Sequence, residues 1–298
     1  MKLLITGSAG QVGSALCALA EAGNIDYQAY SSAELDITRE SKVLRVMRRN
    51  RPTCVINAAA YTAVDQAEDD SNHCFAVNRD GARYLAKACS RYGASLLQIS
   101  TSYVFDGKKK SGYVEEDITN PINRYGASKL AGEQEIAKLL NRYAILRVSW
   151  VFGEVGDNFV KTIARVCQER EELSIVDDQV GAPTPATDVA RVLIAMAQQY
   201  DCGSKAWGIY HYASEGTTNW HDFAEQIVAE TSKYTPVKVR QVKAVKTTEY
   251  DYQAARPLNS QLNCQKILDA FGIKQRSWRS EMAKVVKYCC QSKLNLSE

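Results

Sequence analysis

Short apolar runs alternate with longer amphipathic stretches along the first half of the chain. The runs have the length of buried strands, whereas the stretches between them repeat apolar positions at helical spacing. Each stretch is long enough to cross from one parallel strand to the next. The pattern predicts an α/β fold with a doubly wound parallel sheet. The predicted strands are 2–5, 26–30, 54–57, 96–100 and 143–148, and the predicted helices are 11–22, 41–50, 72–92 and 125–140.

The alternation becomes less regular after Trp150. No repeat period or proline-rich linker divides the chain, so we expect a smaller α/β lobe packed directly against the sheet. We predict one domain over residues 1–150, joined by a helix near 187–199, and a second lobe over 151–298, with a ligand cleft between them. The remaining predicted elements are helices at 158–170 and 219–231, strands at 173–176 and 208–212, and a tail of short strands and loops.

Length, composition and charge exclude several classes of protein. With 298 residues, 45% of them hydrophobic and 24% charged, the chain has the composition of a globular protein with a sizeable core. Its 37 basic residues barely exceed its 34 acidic ones, which argues against nucleic acid or an anionic membrane as the main partner. No run approaches the ~18 apolar residues of a membrane span.

The start of the chain and its cysteines indicate a cytoplasmic protein. The first strand leads directly into a glycine-rich loop instead of the apolar core of a signal peptide. The nine cysteines show no Cys-x-x-Cys spacing, which is typical of buried, reduced thiols. The three histidines, His73, His211 and His221, form no ligand motif, so no metal site is predicted.

Three glycines, Gly7, Gly10 and Gly13, lie between the first predicted strand and the first predicted helix. Glycine lets a backbone approach a pyrophosphate closely, and the following helix presents free N–H groups and a positive dipole end. The spacing G-x-x-G-x-x-G differs from the usual dinucleotide fingerprint, and glycines often only close a turn. The strand–loop–helix context favours dinucleotide binding, which makes residues 1–150 a Rossmann-like domain.

The end of the second predicted strand bears on the choice of dinucleotide. An acidic residue there usually binds the ribose hydroxyls and selects NAD, but this strand ends at Tyr30, followed by Ser31. The nearest acids are Glu34 and Asp36. NAD(H) and NADP(H) both stay open, and the absence of a repelling acid at the strand end favours NADPH. Asp36 is expected to flank the adenine, or else to serve only as a turn or helix-entry residue.

Tyr125 and Lys129 lie four residues apart on a predicted helix, so their side chains share one face. A nearby ammonium favours the ionised phenol, so we expect the pKa of Tyr125 to be lowered and the pair to act as a proton donor. Thr101 ends a predicted parallel strand, where open α/β sheets place their ligands. Its hydroxyl is expected to hold a substrate carbonyl, the alternative being a capping role.

Seven segments in chain order resemble the extended short-chain dehydrogenase/reductase family, and within it the reductases of dTDP-linked 4-keto sugars. Four of these segments lie outside the generic dinucleotide-binding motifs, so the resemblance covers nearly the whole chain. The segments are 57–65 (NAAAYTAVD), 100–107 (STSYVFDG), 123–133 (NRYGASKLAGE), 147–152 (RVSWVF), 178–184 (DQVGAPT), 217–221 (TTNWH) and 255–263 (ARPLNSQLN).

The resemblance implies an oxidoreductase that transfers hydride from NAD(P)H to the C4 ketone of dTDP-4-dehydro-L-rhamnose, giving dTDP-L-rhamnose. It implies Thr101, Tyr125 and Lys129 as the catalytic residues. The implied substrate residues are Thr101, Ser102, Trp150 by the sugar and Arg256 near the diphosphate; on composition alone, Trp150 is a core aromatic and Arg256 a surface ion pair. The expected cofactor contacts are Gly7, Gly10, Gln11, Val12, Gly13, Ser31, Asp36, Ile37, Ala59, Ala60, Tyr61, Thr62, Tyr125 and Lys129.

Three positions depart from the family pattern. Ser102 stands where relatives usually carry aspartate, Tyr30 where several carry the ribose-binding acid, and Ala15 where some place a glutamate for a magnesium ion between subunits. A homodimer is compatible with the resemblance, and magnesium is not expected to bind. Two alternatives stay open: a sister epimerase or 4,6-dehydratase, and a non-catalytic subunit that binds a dinucleotide.

Overall fold

The computed structural model describes residues 1–294, and residues 295–298 of the predicted second lobe lie outside the described residues. The strands are β1 (Lys2–Thr6), β2 (Asp26–Tyr30), β3 (Cys54–Asn57), β4 (Ser95–Thr101), β5 (Tyr143–Val148), β6 (Val151–Phe152), β7 (Glu172–Val176), β8 (Val180–Gly181), β9 (Thr184–Pro185), β10 (Gly208–Tyr212), β11 (Thr218–Asn219) and β12 (Gln241–Val245). The α-helices are α1 (Gln11–Ala22), α2 (Glu40–Asn50), α3 (Gln66–Asp69), α4 (Ser71–Phe75), α5 (Ala82–Tyr92), α6 (Arg124–Leu139), α7 (Phe159–Val166), α8 (Ala186–Asp201), α9 (Trp220–Thr231), α10 (Gln265–Phe271) and α11 (Arg279–Leu294).

A parallel sheet forms the centre of the molecule, with strand order β10-β5-β4-β3-β1-β2. The predicted doubly wound parallel sheet is therefore confirmed. Because β1 lies between β2 and β3, the strand order reverses at β1. In folds of this kind, ligands bind in the crevice beyond the carboxyl ends of the strands at such a reversal.

Side chains of β1 alternate between two hydrophobic cores, one on each face of the sheet. Leu3 and Ile5 belong to the core that includes α1 and α8, whereas Leu4 packs with α2 and α5. All three side chains are fully buried, and each contributes ~1.5–3 kcal/mol of hydrophobic stabilisation. Helices on both faces explain why the strands are continuous apolar runs.

Much of the chain beyond β5 forms a smaller lobe around a separate core. Phe223 of α9 and Trp278 are fully buried there, and α7 and α11 pack against the same core. The Trp278 indole N–H donates to the carbonyl of Gly216 at 2.8 Å, which satisfies the one polar atom of the ring. Three two-stranded pairs occur in this part of the chain: β6 with β9, β7 with β12, and β8 with β11.

Elements from beyond residue 150 also pack with the sheet. Helix α8, which corresponds to the predicted helix near 187–199, packs on α1, and β10 extends the sheet beside β5. The prediction assigned β10 no place in the sheet. The division of the chain at residue 150 stays a prediction.

The tail agrees only in part with its prediction. It carries the short strand β12 and loops, as expected, but it also carries α10 and α11, which were not predicted. The buried side chains of Met282, Val285 and Val286 lie on one face of α11. Cys202 is exposed, which was not expected of the cysteines. Over residues 1–294, no helix combines the length and the apolar character needed to cross a membrane.

Candidate active site

The glycine loop between β1 and α1 is packed so tightly that side chains are excluded. A Cβ on Gly13 would lie 2.0 Å from the carbonyl oxygen of Gly7. Gly7 itself has φ +71°, and a Cβ there would lie 2.5 Å from the backbone nitrogen of Ala59. The loop therefore rests on the segment that follows β3, as a phosphate-binding turn requires.

The N-terminus of α1 has the character of an anion site. Among the described residues, no side chain caps it at Gly10, and no acid occupies its first turn. Its first N–H groups and the positive end of the helix dipole are therefore available to a pyrophosphate. Gln11 and Val12 follow directly; the Gln11 side-chain oxygen accepts a hydrogen bond from Asn158 at 3.1 Å, which links the loop to the smaller lobe.

The segment after β3 is held by Asn78 in a π-helical turn (Ala76–Gly81). The Asn78 amide accepts from the backbone N–H of Tyr61 at 2.9 Å and donates to the Tyr61 carbonyl at 3.0 Å. It also donates to the Ser128 hydroxyl of α6 at 2.9 Å. Ala59, Ala60 and Tyr61 remain partly exposed, and Thr62 is exposed, so this segment forms one wall of the crevice.

The residues after β2 mostly bond to one another. Ser31 donates its backbone N–H and its hydroxyl to Glu34 at 2.8 Å, and Asp36 accepts from the N–H and hydroxyl of Thr38. The hydrogen bond from Thr38 lowers the pKa of Asp36. This pattern matches the turn role that was the alternative for Asp36. Ile37 is buried against Gly81, where a Cβ would lie 2.6 Å from its side chain.

Helix α6 brings Tyr125 to the end of β4. Asn123 caps the helix by accepting from the Gly126 N–H at 2.7 Å. A Cβ on Gly126 would lie 2.1 Å from the carbonyl oxygen of Tyr103, so the helix approaches the strand end as closely as backbone allows. The Thr101 hydroxyl lies near enough to the Tyr125 phenol to lower its pKa, and it accepts from the Tyr103 N–H at 3.1 Å. The structure thus joins Thr101 and Tyr125.

Desolvation governs the charge of both helix residues. It raises the pKa of Tyr125, so the expected lowering by Lys129 is wrong: the surrounding protein outweighs any charge effect, and the phenol keeps its proton. Burial lowers the pKa of Lys129 to about 8, opposed by Glu133 and by Cys74. The Lys129 ammonium, 4% exposed, donates to the Ile99 carbonyl at 2.7 Å. Because the Tyr125 phenol is protonated, it can act as a proton donor.

The three other predicted substrate residues differ in their surroundings. Trp150, with φ +47°, stacks on Trp220 at a centroid distance of 3.7 Å and lies over Gly181. Arg256 pairs with Asp65 at 2.6 Å and is largely buried. Ser102 is buried, and its hydroxyl has no hydrogen-bond partner in the part of the chain that the structure describes.

Sequence reasoning missed Asn78, Asn158 and Glu133. Asn158 had a readable signal, since it precedes a helix and caps it through the Lys161 N–H. Asn78 lies inside a helical stretch, where asparagine gives no local signal for contacts with distant residues. The roles of Asn78 and Glu133 depend on contacts with residues far away in the sequence.

One further group of potential ligands appears in the smaller lobe. His221, Asp222 and Glu225 place one ligand atom each within 4.8 Å of one another. The two ring nitrogens of His221 already bond to Asp222 at 3.1 Å and to the Val242 carbonyl at 3.0 Å. The ring is therefore engaged in holding α9 to β12.

Comparison with known proteins places this architecture in a family. A model of the RmlD substrate binding domain matches residues 1–290. The chain belongs to the RmlD substrate binding domain family. The resemblance drawn from the seven motif segments is thus confirmed, and the RmlD match extends across both lobes.

Relatives within the RmlD family have similar length and structure. The chain is 41% identical over 290 residues to dTDP-4-dehydrorhamnose reductase of Aggregatibacter actinomycetemcomitans, covering 96% of this chain and 99% of the relative. A crystal structure of a dTDP-4-dehydrorhamnose reductase from Clostridium acetobutylicum superposes with a TM-score of 0.90 at 35% identity, covering 96% and 99% of the two chains. The Bacillus anthracis reductase, solved in complex with NADP, gives a TM-score of 0.87 at 38% identity, with the same coverage.

Proposed function

We propose that this protein reduces the C4 ketone of dTDP-4-dehydro-L-rhamnose to dTDP-L-rhamnose, with NADPH as the preferred hydride donor. The observation that carries the proposal is the position of Tyr125 beside Thr101 at the carboxyl end of β4, where the Thr101 hydroxyl lowers the pKa of the phenol against the effect of burial. It sets a proton donor and a carbonyl-orienting hydroxyl beside the crevice of a family whose relatives carry this reductase name. Lys129 lies one helical turn from Tyr125.

In the proposed mechanism, Tyr125 gives its proton to the oxygen that becomes the C4 hydroxyl. When bound, the reduced nicotinamide supplies the hydride. Thr101 holds the carbonyl oxygen beside the phenol, so the proton moves over hydrogen-bond distance as negative charge develops. Lys129 contributes its ammonium, which stabilises the phenolate left behind and contacts the nicotinamide ribose.

The residues present fit a dinucleotide. The glycine loop leaves room for a pyrophosphate against the N-terminus of α1, and the wall formed by Ala59, Ala60, Tyr61 and Thr62 adjoins it. We assign Gly7, Gly10, Gln11, Val12 and Gly13 to the pyrophosphate, Ser31, Asp36 and Ile37 to the adenosine, and Ala59 to Thr62 to the nicotinamide half.

The residue that ends β2 supports NADPH. The Tyr30 hydroxyl accepts from the Asn50 amide at 2.8 Å, so a phenol, and not a carboxylate, stands where an acid would repel a 2′-phosphate. Magnesium does not fit at Ala15, since its methyl group offers no ligand atom. No step in the proposed mechanism involves a metal.

We assign the substrate to the smaller lobe and the adjoining ends of β4 and β5. Arg256 supplies positive charge for the diphosphate, and Trp150 offers an aromatic face for the sugar. The unpartnered Ser102 hydroxyl lies next to Thr101 and is assigned to a sugar hydroxyl. In domain terms, residues 1–150 with α8 bind the dinucleotide, and residues 151–298 mainly bind the substrate.

The decisive experiment supplies dTDP-4-dehydro-L-rhamnose and NADPH to the purified protein and identifies the product. We expect one NADPH oxidised for each dTDP-L-rhamnose formed. Dehydratases of the wider family carry Asp-Glu directly after the active-site threonine, where this chain has Ser102 and Tyr103. Conversion of dTDP-glucose to its 4-keto-6-deoxy product with only catalytic NAD⁺ would overturn the assignment, and absence of any turnover would indicate a non-catalytic subunit.

We further propose that the protein acts in the cytoplasm. Buried thiols such as Cys54, whose pKa burial raises to about 12, support this, because such thiols persist in a reducing compartment. A homodimer stays a prediction from the family resemblance. Fractionation of cells and size-exclusion chromatography with light scattering test these two statements.

A further inference from the structure

Helix α6 carries a third polar residue in register with the proposed catalytic pair. Glu133 follows Lys129 by four residues, as Lys129 follows Tyr125, so the three lie along one face of the helix. The Glu133 side chain is 3% exposed and faces the sheet. The mechanism proposed above does not use it.

The Glu133 carboxylate is fixed by two neighbouring strands. Arg147 of β5 donates its Nε to Oε1 at 3.0 Å and one Nη to Oε2 at 2.7 Å, a bidentate pair in which the arginine is 2% exposed. Ser100 of β4, the residue before Thr101, donates its hydroxyl to Oε1. The carboxylate is therefore held at one position beneath the site.

A buried ion pair is weak evidence for a role in stability alone. The cost of removing both charges from water often cancels their attraction, so apolar residues can replace such a pair without loss of stability. What distinguishes this pair is its neighbour, the buried Lys129. Among the side chains that the structure describes, none forms an ion pair with the Lys129 ammonium, and its hydrogen bond goes to a neutral carbonyl, that of Ile99. A buried ammonium with only a neutral partner tends to lose its proton.

The charges around Lys129 leave Glu133 as its compensating anion. Tyr125 is protonated, and Cys74 of α4 is a thiol whose pKa burial raises. Beyond Arg147, His211 of β10 accepts from an Nη at 3.4 Å while its Nδ1 bonds to the Tyr113 carbonyl. Burial lowers the pKa of His211 to about 3, so it adds no charge.

We propose that Glu133 is a positioning residue that keeps Lys129 protonated, and that Arg147 and Ser100 hold its carboxylate in place for that task. This inference rests on the proposed function, in which Lys129 acts as an ammonium. Desolvation pulls the pKa of Lys129 down to about 8, and Glu133 opposes that shift. Without Glu133, less of the enzyme would carry the ammonium near neutral pH.

The test uses the double variant Glu133→Gln with Arg147→Met, which removes both charges and leaves neither unpaired. We expect its melting temperature to stay near that of the wild type, while the alkaline limb of the kcat–pH profile moves about one unit toward acid. The limb moves toward acid because a lower pKa for Lys129 means that its proton is lost at lower pH. A purely structural pair predicts an unmoved limb.

A matched control is Glu135→Gln, which removes the same charge from the same helix. Glu135 pairs with Lys138 at 3.0 Å near the surface, so its loss should leave the alkaline limb in place. If the double variant does not fold, Glu133→Gln alone gives the answer. There the uncompensated Arg147 should move the limb further toward acid than the double variant would.

The Lys129→Ala variant separates the two proposals. If it keeps wild-type turnover, the proposed role of Lys129 is wrong, and the role of Glu133 is wrong with it. If it loses turnover while a folded Glu133 variant keeps the wild-type alkaline limb, the inference about Glu133 alone is overturned. Loss of turnover in Lys129→Ala together with the acid shift supports both.

Discussion

The two walls of the crevice are built in different ways. On the dinucleotide side, backbone packs on backbone, and Gly7 and Gly13 leave no space for a Cβ. On the substrate side, contacts run between side chains far apart in sequence, such as Trp150 on Trp220 and Arg256 with Asp65. The first wall tolerates no added atom, whereas the second can exchange side chains and so can change specificity without changing the fold.

The largest effect is expected at the junction of the two walls. Tyr125→Phe removes the transferable proton and little else, so kcat should fall ~10²–10⁴-fold. The affinities for NADPH and for the sugar nucleotide should stay near wild type, which fluorescence titration of each ligand checks. A near-normal kcat would remove Tyr125 from the mechanism.

Gly13→Ala tests whether the tight glycine loop on the dinucleotide side of the crevice is needed for NADPH binding. Its Cβ would collide with the Gly7 carbonyl and displace the loop. Restoring the binding geometry would then cost the overpacking energy of ~1–3 kcal/mol, equivalent to roughly 5–150-fold in Kd for NADPH. Gly23→Ala, the same change at the far end of α1, should leave that Kd unchanged. Equal effects of the two variants on NADPH binding would show that helix stability, and not loop geometry, is what matters.

The substrate wall is tested by Arg256→Gln. Loss of a charge-assisted hydrogen bond worth ~1.5–3 kcal/mol should raise KM for the sugar nucleotide about tenfold or more, with KM for NADPH unaffected. Arg240→Gln, an exposed arginine of the same lobe, serves as the control. If both KM values rise together, the arginine holds the fold and does not bind the diphosphate.

The smallest effect concerns the end of β2. Tyr30→Asp places a carboxylate near the 2′-phosphate, and repulsion between partly exposed charges is worth up to ~1 kcal/mol, or about fivefold. The ratio of kcat/KM for NADPH to that for NADH should fall by this factor. A strong preference of the wild type for NADH would contradict the prediction and indicate that Asp36 or Glu34 reaches the ribose.

Features that depend on local sequence could be predicted, whereas features that depend on residues far apart in the chain could not. Elements of the sheet were predictable because local periodicity and glycine spacing encode them, and Gln11–Ala22 and Tyr143–Val148 agree to the residue. The two helices of the tail, α10 and α11, could not be predicted in the same way. Their apolar faces are short, and they become recognisable only beside the core that they cover. The raised pKa of Tyr125 also escaped prediction, because desolvation depends on residues from several elements.

Asn78 shows how one side chain can constrain its position through several hydrogen bonds at once. Its side-chain amide accepts from the Tyr61 N–H and donates to the Tyr61 carbonyl and to the Ser128 hydroxyl. Aspartate would replace the donating NH₂ group with an oxygen that the Tyr61 carbonyl repels, and glutamine is one methylene longer than the space between these partners requires. The backbone carbonyl of Asn78 lies 2.2 Å from where a Cβ of Gly132 would be. A side chain on Gly132 would therefore displace the very residue that holds the segment after β3, so the two positions constrain each other in this protein.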